Sequence, residues 1–438
     1  MQLYRTALRI LLVFSFLLST SPAFSDGDFG LPTAEPESLG MSSKKLDEIK
    51  TQLQPLIDEK KVPGFITVVA RQGKVVHFEA FGSMDVERKK AMQADTIFRM
   101  YSMTKPVTGA AVMILVQEGK INLKDPVSKY IPEFADMKVL VQTEKGATST
   151  IPAHRPIIIE HLLTHTSGLT YNFFGNAVSK IYAANGVDSD GGSGLTLEEF
   201  VKKVAEQPLL AQPGTQWNYS ISMDVLGRVV EVVSGQRYGD FLQARIFAPL
   251  GMKDSGFQVP ADRASRFAAN YAPDRESPGM VLADDPGNSR YLKVPSQDSG
   301  GGGMVGTAAD YLRFAQMLLN GGELDGVRIL GEESVRDITS DHLGEEFGGA
   351  PLSTMLPFGA EGIGFGYCGA VIKPGAGNTV FGGPGQYTWG GAASTDFWID
   401  KRQKLVGMVL TQLMPAGAYP TRMIMNTATY EAVVEKYN

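Results

Sequence analysis

The sequence predicts a mixed α/β (α+β) fold, an antiparallel sheet flanked by helices with a mostly helical domain inserted into it. Three observations predict it. β-rich runs stand near both ends of the chain, Phe65 to Ala70 and Val75 to Phe81 early, Asp396 to Asp400 and Leu405 to Thr411 late. Helical periodicity and helix caps fill the middle. Apolar residues make up 43% and charged residues 20% of the 438 residues, the balance of a chain that buries one large core. The mixed part is expected at about 37–110 and 355–438, and the helical part at about 111–354.

The elements follow in order. After Ser42, the apolar residues Leu46, Ile49, Leu53 and Leu56 recur at helical spacing. The two early β runs flank Gln72-Gly73, which reads as a hairpin turn. Thr104 to Glu118 reads as a helix with Gly119 as its C-cap. Thr196-Leu197-Glu198-Glu199 is a capping box for a helix carrying Phe200, Val201 and Val204. Met223 to Val233 is a further helix, ended by Gly235. Thr307 caps another, which runs through Phe314 and Leu318 to Gly321-Gly322. The segments Thr143 to Arg155 and Asp188 to Gly194 read as exposed loops. Arg422 to Tyr437 reads as a closing helix.

The N-terminus has a different character. Arg5 and Arg9 precede a short apolar run, Ile10 to Leu18, and Ala23 and Ser25 place small residues at −3 and −1 before Asp26. This is the pattern of a cleavable signal peptide over residues 1–25. The run is well short of the roughly 20 residues that a membrane span needs. The protein is therefore expected to be exported, periplasmic or secreted, with no stable membrane anchor. The formal net charge is −6 and no basic block occurs, which argues against nucleic acid as a partner. The lone Cys368 has no partner for an internal disulfide and reads as a small buried residue.

Ser102-Met103-Thr104-Lys105 carries the first chemical signal. Residues i and i+3 share a helix face, so the Lys105 amine can reach the Ser102 hydroxyl and accept its proton once its pKa is lowered. The same spacing recurs in Ser42-Ser43-Lys44-Lys45, where it reads as an ordinary helix start. Trp217-Asn218-Tyr219-Ser220 follows a Pro213-Gly214 turn, and a tyrosine held near a lysine can serve as a base or proton relay. Trp389-Gly390-Gly391-Ala392 lies on or beside a late strand. Its glycines suit close approach of backbone to a ligand. Its backbone could complete an oxyanion hole with the N–H of Ser102.

In this order the three pieces resemble the serine β-lactamase and penicillin-binding-protein superfamily. Ile159 to Leu169 and Ser299 to Tyr311 look like segments of the class C β-lactamase-related branch. Within that branch the sequence is most similar to the family VIII carboxylesterases. The resemblance implies a β-lactamase/transpeptidase-like fold, Ser102 as nucleophile, Lys105 as proton acceptor and Tyr219 as general-base partner. The backbone N–H groups of Ser102 and Ala392 would hold the oxyanion, and Trp389, Gly390 and Gly391 would contact substrate. Class C β-lactamases carry Tyr-x-Asn where this chain has Tyr219-Ser220-Ile221, and Lys-Thr-Gly where it has Trp389-Gly390-Gly391. The amide and the cation that grip a β-lactam are missing: Ile221 stands in place of the first and the Trp389 indole in place of the second.

The expected activity is cleavage of acyl esters through an acyl-enzyme on Ser102, with slow β-lactam turnover left open. The substrate is a small-molecule ester or β-lactam, and no cofactor or metal is required. Two alternatives stand beside this reading: a β-lactamase or D-Ala-D-Ala-type carboxypeptidase, and an inactive peptidoglycan-binding protein. Gly301 to Gly306 and Gly364 to Gly369 match G-x-G-x-x-G, but neither follows a strand of a βαβ unit, so neither reads as a nucleotide site. His161 and His165 are spaced i, i+4, but Thr166-Ser167-Gly168 reads as the helix end, and the pair reads as structural rather than as a metal site.

Overall fold

The computed structural model describes residues 29–142, 148–188, 194–344, 362–373 and 383–437. The expected signal segment, residues 1–25, lies outside them. Among the described residues no helix is long and apolar enough to cross a membrane.

One antiparallel sheet organises the chain. Its strands are β1 (Gly64–Arg71), β2 (Lys74–Asp85), β3 (Lys90–Ala91), β4 (Ile363–Phe365), β5 (Ala370–Ile372), β6 (Gln386–Gly391), β7 (Thr395–Asp400) and β8 (Leu405–Leu410), in the spatial order β4-β5-β6-β7-β8-β1-β2-β3. The first and last strands are thus neighbours, with Ile66 opposite Leu410 and Arg71 opposite Leu405. The β1–β2 hairpin turns on Gln72 and Gly73, whose φ of 52° and 76° give the left-handed pair that matches strand twist.

Helices cover both faces. The principal ones are α1 (Ser43–Asp58), α2 (Thr104–Gln117), α3 (Ser222–Ser234), α4 (Ala308–Leu319) and α5 (Thr421–Glu431). Phe65, Val69, Leu405, Val409 and Trp398 pack with Leu46, Ile49, Leu53 and Met425 of α1 and α5. Ile66, Val68, Val406, Met408 and Leu410 point the other way, into the core that holds α2 and α4. Because both faces are buried, β1 and β8 are apolar almost without interruption. Helix α2 is buried on all sides from Thr104 to Leu115, as expected of a helix without a polar stripe.

Some details depart from the sequence reading. Helix α4 belongs to the stretch assigned to the helical part, yet it packs on β7 and β8. Among the described residues that stretch also contains three β-hairpins, Lys138–Gln142 with Thr148–Pro152, Asn270–Pro273 with Met280–Asp284, and Glu323–Leu324 with Val327–Arg328. The first replaces part of the loop expected from Thr143, although its second strand is exposed. Helix α5 stops at Glu431 rather than Tyr437. There the chain turns to pair with the start of the fold, the N–H groups of Val434 and Glu435 bonding Gly40 O at 3.0 and 3.1 Å. Tertiary pairing overrides helical propensity in that last turn.

Trp398 stands opposite Gly407, and a Cβ at Gly407 would lie 2.1 Å from the indole Cζ2. We expect Gly407→Ala to lower stability by about 1–3 kcal/mol through overpacking. Urea denaturation measures this. In a Trp398→Leu background the same change should cost less, so a double-mutant cycle should return a clear coupling between the two positions.

Candidate active site

The short strand Phe98–Arg99 pairs with Val305–Gly306 and leads into a 3₁₀ turn, Tyr101–Met103, at the head of α2. Tyr101 has φ 44°, a left-handed conformation that costs a bulky residue about 1–2 kcal/mol. Neighbours fix the turn: Met100 N bonds Met304 O at 2.9 Å, and Thr104 Oγ1 bonds Tyr101 O at 2.6 Å. Ser102 is thereby lifted onto a cavity wall.

Lys105 lies one helical step further and is completely buried. Its Nζ donates to Ser102 Oγ at 3.1 Å and to Gly301 O at 2.6 Å. It also sits 4.5 Å from the Tyr219 ring centroid and 5.5 Å from that of Tyr171. Tyr219 OH donates to the same Ser102 Oγ at 2.7 Å. The three residues picked out at separate points of the sequence therefore meet at one oxygen.

The carbonyl that receives Lys105 belongs to a glycine turn, Gly300 to Gly303. A Cβ at Gly300 would meet Met223 O at 2.5 Å, and one at Gly301 would meet Asp224 Oδ2 at 2.8 Å. Only glycine lets the turn lie this close to α3. Asp224 Oδ1 accepts from Ser299 Oγ at 2.6 Å and Gly301 N at 3.3 Å, and Thr108 Oγ1 bonds Gly300 O at 2.7 Å. The Asp224 carboxyl is fully buried, and burial raises its pKa against the opposing charge of Lys105.

Tyr219 is held by the segment Thr164 to Tyr171. His165 O accepts from Asn218 N at 2.8 Å, and Gly168 O from Leu210 N at 2.7 Å. The His165 ring lies 4.8 Å from the Tyr219 ring, and its Nδ1 contacts Ser220 Oγ at 3.1 Å. Its backbone is left-handed at φ 57°, directly after the short helix Ile159–Leu163. Burial and, secondarily, the charge of Lys105 hold its imidazole well below the ordinary pKa, so it is neutral. His161 serves elsewhere, at the head of that short helix, where its Nδ1 takes the Ile158 N–H at 3.4 Å. Among the described residues no group of three or more His, Cys, Asp or Glu side chains could hold a metal.

Ala392 faces the same cavity as Ser102, but Trp389, Gly390 and Gly391 do not line it. Trp389 is 6% exposed and sits behind Tyr219, their centroids 5.5 Å apart, with Phe365 at 5.4 Å. Packing leaves no room for a side chain at either glycine. A Cβ at Gly390 would lie 2.1 Å from Asp396 Oδ1, and one at Gly391 would lie 2.4 Å from Met100 O. The end of β6 is thus pressed against the turn that carries Ser102. Cys368 is buried between Gly109 and Met223, and burial pushes its thiol pKa up.

The cavity is about 910 Å³. Ser102, Tyr219 and Ala392 meet there, Tyr171 and Phe173 form an aromatic wall, and residues 290–297 form another. Sequence reasoning did not assign roles to His165, Asp224 or the cations of that last wall. The Ile159–Leu169 and Ser299–Tyr311 segments were visible as family-like stretches. Their purpose, seating Tyr219 and receiving Lys105, appears only when they are folded together.

The chain belongs to the β-lactamase family: the family model described as Beta-lactamase matches residues 49–430. It is 36% identical over 378 residues to Protein Rv1367c of Mycobacterium tuberculosis (strain ATCC 25618 / H37Rv), covering 84% of this chain and 90% of that one. It is 30% identical over 417 residues to Esterase EstB of Burkholderia gladioli, covering 91% of this chain and 98% of the other. Among solved structures it is similar to EstCE1, described as a hydrolase with promiscuous acyltransferase activity. The TM-score is 0.73 at 29% identity, over 91% of this chain and 99% of that one.

His165 makes a pH prediction. The unfolded chain binds a proton near the ordinary value of 6.5, which the folded site refuses. Its stabilising contribution is therefore present above that pH and lost as pH falls through it. Relative to wild type, His165→Asn should gain stability between about pH 8 and about pH 5. Urea midpoints across that range would decide it; a constant difference would show that His165 protonates in the folded state.

Proposed function

We propose that the protein is an exported serine carboxylesterase that works through an acyl-enzyme on Ser102. One observation carries the reading: Ser102 Oγ faces a cavity while bonded by both Lys105 Nζ and Tyr219 OH. Lys105 or Tyr219 must be deprotonated to accept the Ser102 proton, and their contact with one oxygen lets charge pass between them. Ser102 Oγ then attacks the ester carbonyl. The backbone N–H groups of Ser102 and Ala392 stabilise the oxyanion. The proton returns to the leaving alkoxide, the alcohol departs, and water releases the acid by the same route. The names of EstB and EstCE1 support ester cleavage, and that of EstCE1 adds transfer of the acyl group to an acceptor other than water.

The residues around Ser102 favour esters over β-lactams. Ser220 and Ile221 are buried and outside the cavity lining, so no side-chain amide is offered there. The indole that occupies the position of the family lysine is likewise buried. Export rests on the pattern of residues 1–25.

On p-nitrophenyl butyrate, Ser102→Ala should lower kcat/KM by about a thousandfold or more, and Tyr219→Phe by about a hundredfold or more. Nitrocefin should turn over far more slowly than the ester in the same preparation. Nitrocefin rates equal to ester rates would make β-lactam hydrolysis the leading activity. Protein recovered after export from a bacterial host should begin at Asp26 by N-terminal sequencing. A first residue at Met1 would refute processing.

A further inference from the structure

Large apolar side chains left in water are informative by where they gather. Among the described residues, three of them stand more than half exposed: Val434 at 68%, Val294 at 65% and Phe173 at 63%. Scattered singly, such residues need no explanation. Two of the three, however, line the cavity onto which Ser102 opens. They come from segments far apart in the chain, so only the fold brings them to one place.

Phe173 is the outer end of a run of rings. It stacks on Tyr171, with centroids 4.9 Å and planes 19° apart. Tyr171 lies 5.3 Å from Tyr219, whose hydroxyl donates to Ser102 Oγ at 2.7 Å. Two ring-to-ring steps therefore lead from solvent to the oxygen on which Lys105 and Tyr219 converge. Tyr171 and Tyr219 are buried, and Phe173 alone of the three is open to solvent.

The loop that carries Phe173 is braced on both sides. Before it, Asn218 Nδ2 donates to Leu169 O, and Ile221 N to Thr170 O at 3.4 Å. After it, Asn176 Nδ2 donates to Thr170 Oγ1 at 3.1 Å, and Asn176 Oδ1 caps the helix Ala177–Ala184 by accepting from Ser179 N at 2.8 Å. Phe174 packs on the core and meets the Phe173 ring in a T-shaped contact, centroids 4.9 Å apart. The segment of Val294 is supported in the same way. Leu292 O accepts from Gln258 Nε2 at 3.2 Å, and Pro295 O from Arg237 Nη2 at 2.7 Å. An exposed ring on a braced loop has little freedom left to lose on binding.

We propose that Phe173 is a specificity-determining residue, the stacking platform for an aromatic ring of the ester substrate in the outer part of the cavity that Val294 borders. This specificity rests on the esterase reading and narrows its substrate class to arylalkyl esters. A flat exposed ring gains more from a second flat ring in an offset stack than from a puckered ring of similar size. The ring can belong to the alcohol or to the acid, since a cavity of about 910 Å³ has room for either half of a small ester.

The test uses the mature protein with Phe173→Leu and Phe173→Tyr beside it. Two matched pairs of substrates are compared with p-nitrophenyl butyrate: phenethyl and cyclohexylethyl butyrate, and ethyl phenylpropanoate and ethyl cyclohexylpropanoate. Within a pair the ester carbonyls are alike, and plain hydrophobic burial favours the cyclohexyl member, which has the larger apolar surface. Wild type should nevertheless prefer the phenyl member of one pair by about threefold to tenfold in kcat/KM, chiefly through KM. The pair that shows the preference tells whether the alcohol or the acid carries the ring. Phe173→Tyr should keep the preference, and Phe173→Leu should bring the ratio to about one or below. Cleavage of p-nitrophenyl butyrate with no phenyl preference in either pair would overturn the proposal, as would a preference that Phe173→Leu leaves in place. Failure to cleave any of the esters, p-nitrophenyl butyrate included, would instead sink the esterase reading beneath it.

Discussion

A buried amine sets the terms for the centre of this protein. Taking the polar head of Lys105 out of water is costly unless its hydrogen-bonding capacity is satisfied. Ser102 Oγ, Gly301 O and the face of the Tyr219 ring meet that demand. They come from the turn at the head of α2, from the glycine turn before α4, and from the loop before α3. Each must reach Lys105 closely, and the sequence shows the result. The turn uses glycines because Met223 and Asp224 leave no room for a Cβ.

The sheet supplies the second constraint. The end of β6 touches the nucleophile turn, with Gly391 against Met100 O and Thr395 Oγ1 bonded to the same carbonyl at 3.3 Å. That contact brings Ala392 beside Ser102. From the other direction, the segment Thr164–Tyr171 supports Tyr219 through backbone bonds and the His165 ring. Trp217, Trp389 and Phe365 close the space behind the phenol. Ser102, Lys105 and Tyr219 are thus held in fixed relative positions by packed surroundings.

Chemistry and selection occupy different layers of the site. The groups around Ser102 Oγ are buried and cross-braced. The outer walls of the cavity, Phe173 on one side and Val294 on the other, face solvent. Changes in those outer segments can alter which ester enters without disturbing the braced centre.

Much of the architecture was legible in the chain. Local capping chemistry marks where α1, α4 and the Leu197–Ala205 helix begin, since Ser42, Thr307 and Thr196 each take the backbone N–H expected of them. The hairpin at Gln72-Gly73 follows from turn stereochemistry. Ser102, Lys105 and Tyr219 could be named because their residue types and order are distinctive. Other features depend on distant surfaces. Helix α5 ends early because Gly40 competes for its last backbone groups. Gly390 and Gly391 are read from sequence as a ligand-binding pair, whereas the fold shows that Asp396 and Met100 leave no room for a Cβ at either. Trp389 looks like a substrate wall and lies behind Tyr219. The sequence by itself marked the principal elements and the three candidate residues that meet at Ser102 Oγ, because helix, turn and motif signals are local. Tertiary structure alone decided what surrounds the trio and which residues face the cavity, because burial and close approach belong to pairs of segments far apart in the chain.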